Sequence, residues 1–149
     1  MAYLIVFGSA TFSQLLAFSG ASRGLVSWAT SFDLAPLAML MVMFAVLLLL
    51  GMFMEQISIM LLTVPIFFPL AQTLGFDPIW FALIMLLSLE ISFTTPPFGL
   101  LLFVMKGVSP PETTMREIYT SAFPYILSSL LLVILLIVFP QIALWLPSL

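Results

Sequence analysis

Charge is spaced along this chain so widely that long stretches have none. Residues 1–22, 34–54, 56–76, 91–105 and 118–149 carry no Asp, Glu, Lys or Arg. A helix needs about 20 mainly apolar residues to cross the hydrocarbon core of a bilayer, and backbone at that depth must satisfy its own hydrogen bonds. The charge-free runs are therefore read as membrane helices. Only 6% of the 149 residues are charged and 64% are hydrophobic, too little polar surface to cover a water-soluble domain, and the mean hydropathy is +1.34. Lipid is the solvent for most of the chain. With no His and no Cys, disulfides, thiolate nucleophiles, imidazole acid–base chemistry and Cys/His metal sites are excluded. A net charge of −3 with no basic cluster argues against nucleic acid. No positively charged segment precedes the first apolar run, so no secretory signal is read there. The immediate apolar start fits either a true beginning inside a membrane segment or the absence of earlier helices.

Residues 1–20 form one expected span, with Gly8, Ser9, Thr11, Ser13 and Gln14 suited to close helix packing. The more polar stretch after it contains Trp28, a residue at home at a membrane interface. Residues 36–74 are two apolar arms around Gly51-Met52-Phe53-Met54-Glu55-Gln56. Pro36 suits a first helical turn, and Gly75 followed by Asp77-Pro78 suits a stop and a new start. The arms are either two crossing helices or a re-entrant hairpin with its tip near 51–58, and the residues alone leave both open. Pro65 and Pro69 predict an irregular or shortened second arm.

Residues 78–106 begin as an interfacial helix at Pro78-Ile79-Trp80. They are interrupted by Thr94-Thr95-Pro96-Pro97-Phe98-Gly99. Two consecutive prolines remove two donors, so one span broken near its middle is expected, a form tolerated where protein or a watery cavity surrounds it. Residues 107–122 are the most polar stretch and are expected to be a cytoplasmic loop with a short amphipathic helix from near Thr113. Residues 123–146 form the last span, with Pro124 and Pro140 at its edges. Lys106 and Arg116 share one loop, which places it in the cytoplasm and puts Arg23, Asp33, Asp77 and the C-terminus outside.

Three places carry candidate chemistry. At the break, carbonyls of one half-helix, amides of the other and the Thr94 and Thr95 hydroxyls are released together. Such a set suits Na⁺ and a carboxylate, against the plainer reading of a packing kink. The tip around Gly51, Phe53 and Glu55 lies near the bilayer midplane if the arms are re-entrant, and is an ordinary loop if they are not. Glu90 stands one turn before Thr94 on the same face, a charge expected to face the bundle interior, and Glu55 and Glu90 are together candidates for an ion or proton path.

The order of the Gly-acid tip, Pro65-x3-Pro69, Leu74-Gly75-x-Asp77-Pro78, Thr95-Pro96-Pro97-x-Gly99 and Pro140 to Pro147 resembles the C-terminal portion of the large membrane subunit of tripartite ATP-independent periplasmic (TRAP) transporters. The resemblance covers nearly the whole chain. It implies an all-α integral membrane fold of the ion-transporter superfamily, built from two inverted repeats that each hold a re-entrant hairpin and a broken helix, this chain being the second repeat. It implies Na⁺ at the tip and the break, with Gly51 and Phe53 offering carbonyls beside Thr94, Thr95 and Pro97, and the substrate at Thr94 and Gly99. It implies uptake of an organic acid (C4-dicarboxylate-like or sialic-acid-like) by an elevator motion in the cytoplasmic membrane of a bacterium or archaeon. The implied partners are a periplasmic substrate-binding protein, a small four-helix membrane subunit and the missing N-terminal repeat, without which the chain is expected to be inactive. No other cofactor and no enzymatic activity are implied. Glu55 stands where the family commonly has Asp, and Glu90 near where it has an uncharged polar residue. The alternatives are another anion permease of the superfamily that needs no binding protein, or a non-transporting assembly subunit. An intramembrane protease is remote, since there is no His and no paired catalytic Asp.

Overall fold

The structure is a computed structural model that describes residues 2–32, 34–96 and 99–145. Pro97, Asp33 and the end of the last expected span lie outside the described residues. Every regular element among the described residues is a helix: α1 (Ala2–Ser19), α2 (Ala21–Thr30), α3 (Pro36–Gly51), α4 (Gln56–Thr73), α5 (Pro78–Thr94), α6 (Leu100–Val108), α7 (Met115–Val138) and α8 (Gln141–Leu144). Two of them, α4 and α7, are long and apolar enough to cross a membrane.

Local chemistry sets most boundaries. Pro36 occupies the first turn of α3 and Pro78 that of α5, where a missing N–H costs nothing. The Asp77 carboxylate accepts from the amides of Ile79 (2.8 Å) and Trp80 (3.2 Å), two of the orphan donors at the start of α5. At the end of α4, Gly75 takes φ +80° while its amide donates to the Gln72 carbonyl and that of Phe76 to the Ala71 carbonyl. This paired closure needs a left-handed residue, which glycine adopts without strain. Thr114 and Glu117 cap α7 reciprocally, side chain to backbone in both directions.

Two expectations about proline are corrected. Pro65 and Pro69 do not shorten the second arm: α4 is one helix with both inside it. They stand four residues apart, so Pro69 removes the very donor that the Pro65 carbonyl would have used, and the disturbance is confined to one strip. Pro124, expected at a span edge, is not a helix end. The amphipathic helix expected in the polar loop and the last apolar stretch are one continuous helix, α7, with Pro124 in its interior.

The core is a layer of α3, α4 and α5. Met39, Met43, Leu47 and Gly51 recur every four residues along α3, and Ile84, Ser88 and Ser92 do the same along α5; all are buried. Such rows form ridges along a helix face that pack against a neighbour. Phe81 of α5 meets Phe68 of α4 edge-to-face, ring centres 5.4 Å apart. Helix α3 packs along α5 with the last residue of α3 against the last turn of α5, and α4 leads back from that end to the start of α5. The hydroxyls of Thr63, Ser88 and Ser92 donate to the carbonyls of Ile59, Ile84 and Leu89 on their own helices, which satisfies them in an apolar setting.

Helix α7 runs back along α6 and α5. At its far end the buried Trp80 indole N–H donates to the Leu136 carbonyl at 2.8 Å. That carbonyl is an orphan of the helix terminus: its helical donor would be residue 140, which is proline. At 1.5 Å rise per residue, the 24 residues of α7 measure about 36 Å and the 16 of α3 about 24 Å.

Candidate functional site

The tip of the α3–α4 hairpin and the end of α5 meet. A Cβ built on Gly51 would stand 1.8 Å from Ser92 Oγ and 2.4 Å from Ser92 Cβ, so only glycine permits this approach. Ser92 is 1% exposed. The contact lies two residues from Thr94, so the two places singled out for chemistry on separate segments share one locus.

At that locus α5 stops at Thr94, Thr95 turns to an extended conformation (φ −84°, ψ 126°), and α6 begins at Leu100 behind Gly99. The Gly99 amide donates across the break to the Thr95 carbonyl at 3.1 Å. Gly99 also packs on backbone: an added Cβ would lie 2.8 Å from the Phe93 carbonyl oxygen and 3.0 Å from that of Thr95. Thr94 Oγ1 donates back to the carbonyls of Glu90 and Ile91, and Thr95 Oγ1 to that of Ile91 at 2.5 Å. Each hydroxyl thereby covers carbonyls at the end of α5 and keeps its own oxygen as an acceptor for a further group. The donor set around the break is thus hydroxyl and carbonyl oxygen. Among the described residues no group of three or more His, Cys, Asp or Glu could hold a metal ion. Uncharged oxygens suit a monovalent hard cation better than a divalent one, which seeks several carboxylates.

Of the other residues predicted for the site, Phe53 and Glu55 lie exposed on the tip turn. Phe53 donates its amide to the Leu50 carbonyl, and Glu55 sits at the N-cap of α4, where its carboxylate accepts from Ser58 Oγ at 3.0 Å. A negative group there faces the positive end of the α4 dipole. Pro97 lies outside the described residues. Glu90 is exposed rather than turned into the α3–α5 core. It lines a groove of about 590 Å³ together with Thr94, Leu102, Met105, Glu117 and Tyr125, between the end of α5, α6 and the first half of α7. Glu90 and Thr94 line it together because one helical turn separates them. Near its mouth, Lys106 Nζ donates to the Thr113 carbonyl, and capping by Thr114, with Lys106 nearby, holds the Glu117 carboxyl below its ordinary range.

Sequence reasoning passed over Ser92. Its signal was present as the four-residue spacing from Ser88, which marks a smooth helix face, but nothing in the order of residues says that Gly51 is what packs there. The carbonyls of Phe93 and Thr95 were equally invisible, since backbone groups leave no mark in composition.

A family model described as "Tripartite ATP-independent periplasmic transporter, DctM component" matches residues 1–142. The chain is 37% identical over 150 residues to the C4-dicarboxylate TRAP transporter large permease protein DctM of Pseudomonas aeruginosa, covering 99% of this chain and 34% of that protein. It is 34% identical over 149 residues to the protein of the same name from Rhodobacter capsulatus, covering 100% of this chain and 33% of that one. It is 31% identical over 146 residues to the sialic acid TRAP transporter large permease protein SiaM of Vibrio cholerae, covering 98% and 34%. The chain thus spans about a third of the length of these curated relatives. A helical membrane chain with a hairpin tip seated on a broken helix, matched along almost its whole length, belongs to the DctM family, the permease component of TRAP transporters.

Proposed function

We propose that this chain supplies the outer re-entrant hairpin and the broken helix of a Na⁺-coupled permease for an organic acid, with C4-dicarboxylates the first candidates. The observation that carries the reading is the Gly51–Ser92 contact, which brings the hairpin tip to the helix break. In this reading the tip carbonyls of Gly51 and Phe53 join the hydroxyls and carbonyls of the break as cation ligands. The hairpin is re-entrant in this reading, its tip lying at the level of the break between α5 and α6. Helix α3 ends level with α5, about 24 Å along, whereas α6 carries the chain a further nine residues and α7 returns over about 36 Å.

In this reading the Thr94 and Thr95 hydroxyls and the carbonyls beside Gly99 hold the cation. The Leu102 amide closes the first turn on the Gly99 carbonyl, and the amides before it at the start of α6 face a substrate carboxylate. The acid comes from an extracytoplasmic binding protein, a small membrane subunit supports the permease in the cytoplasmic membrane, and a second hairpin and broken helix outside this chain complete the cavity. Relatives named for C4-dicarboxylates and for sialic acid share a carboxylate as the group to be recognised.

The test is uptake of succinate and of sialic acid into proteoliposomes holding the assembled permease with its binding protein, across a range of Na⁺ at constant ionic strength. Uptake should rise with Na⁺, and Thr95→Val should raise the Na⁺ needed for half-maximal rate. Uptake indifferent to Na⁺ rejects the coupling; an unchanged Na⁺ dependence in Thr95→Val removes that hydroxyl from the site.

A further inference from the structure

We infer that Gly51 and Ser92 form a zero-clearance latch, in which the absence of a side chain at Gly51 is what lets the hairpin tip seat against the helix break and so sets its position for the cation site. The inference rests on the ion-coupled reading above and adds a residue and a distance to it.

The geometry is unusually restrictive. Ser92 is 1% exposed, and its Oγ is committed to the Leu89 carbonyl at 2.7 Å, so the side chain is pinned along its own helix. A methyl group on residue 51 would lie 1.8 Å from that oxygen and 2.4 Å from Ser92 Cβ, but 3.6 Å from Ser92 Cα. Turning the hydroxyl away relieves only the first clash. The Cβ is fixed by the backbone, so α3 and α5 must separate by roughly 1 Å to restore ordinary contact. Removing Cβ and Oγ together leaves only the Cα, already at van der Waals distance. The contact is therefore size-coded: a methyl at 51 demands a glycine at 92, and alanine at 92 does not suffice. Thr94 lies two residues past Ser92, so a shift of that size displaces the tip relative to the hydroxyls at the break. Ion sites built from several elements lose affinity steeply with misplacement on this scale.

The experiment is hydrogen–deuterium exchange at residues 51–58 of the assembled permease in detergent, titrated with NaCl against choline chloride. Gly51→Ala should speed exchange at the tip without Na⁺ and raise the Na⁺ concentration for half-protection on the order of tenfold. Adding Ser92→Gly should return both close to the parent, adding Ser92→Ala should return neither, and Ser92→Gly alone should shift the midpoint by no more than a factor of about three. Parent-like exchange in Gly51→Ala, or rescue by Ser92→Ala equal to that by Ser92→Gly, overturns the latch. If the parent shows no Na⁺-dependent protection, the ion-coupled reading fails. The Na⁺-free exchange rates of the same variants then decide the latch by the same criterion.

Discussion

Trp80→Phe removes the indole N–H that donates to the Leu136 carbonyl from outside its helix. Both residues are buried, and the bond is 2.8 Å long. A buried carbonyl left unpaired costs about 1–3 kcal/mol, while hydrogen bonds between membrane helices measured by double-mutant cycles average about 0.6 and reach about 1.7. The truncation also leaves a smaller ring in the space of an indole, which adds a cavity cost unrelated to hydrogen bonding. A second substitution separates the two. Pro140 adopts φ −59° and ψ −23°, which alanine accepts, and Pro140→Ala supplies the missing N–H while freeing Phe139 to become helical. The Leu136 carbonyl then has a donor within its own chain segment. On that background Trp80→Phe should lose only the cavity cost. We expect a coupling of about 1 kcal/mol between the substitutions, about fivefold in the unfolding equilibrium. Unfolding of the assembled permease in mixed micelles with increasing SDS, for the parent, both single variants and the double, measures it. Costs that add within about 0.3 kcal/mol refute the argument that proline created the carbonyl's need for Trp80.

Other outcomes follow from local geometry. Gly75→Ala forces a Cβ into a left-handed conformation and should destabilise the α4–α5 turn by about 1–2 kcal/mol, read in the same SDS titration. Thr114→Ala removes one half of the reciprocal cap on α7 and should cost about 1 kcal/mol, with faster amide exchange at Glu117 as its local signature. The Glu117 carboxyl is held below its ordinary value of 4.5, so its capping contribution is fully present above that pH and is lost as pH falls through the lower folded value. The stability gap between the parent and Glu117→Gln should thus be constant near neutrality and narrow only in acid.

Much of the fold was legible because its signals are local. Pro36, Pro78, the Asp77 cap, Gly75 and Pro96 each act through covalent geometry or a hydrogen bond within a turn, and the helix ends beside them stand where those residues put them. The prolines at 65 and 69 misled because their four-residue spacing puts their lost hydrogen bonds along one strip, so together they disturb the helix less than two separate breaks would. At the site, the hydroxyls and glycines were visible as residue types, but not their company. Glu90 on the groove, and Gly99 on the carbonyls of Phe93 and Thr95, follow from how segments lie against each other.

The sequence by itself determined the solvent of this chain and its helical class, because sparse charge makes lipid the solvent and continuous apolar runs of about 20 residues suit membrane helices rather than the short alternating strands of a barrel. Only the tertiary structure decided that Gly51 meets Ser92 and that Trp80 serves the carbonyl orphaned by Pro140. Both are contacts between residues some forty or more positions apart. Their physical basis, a missing Cβ and a missing N–H, acquires meaning only when a second helix comes to fill the gap.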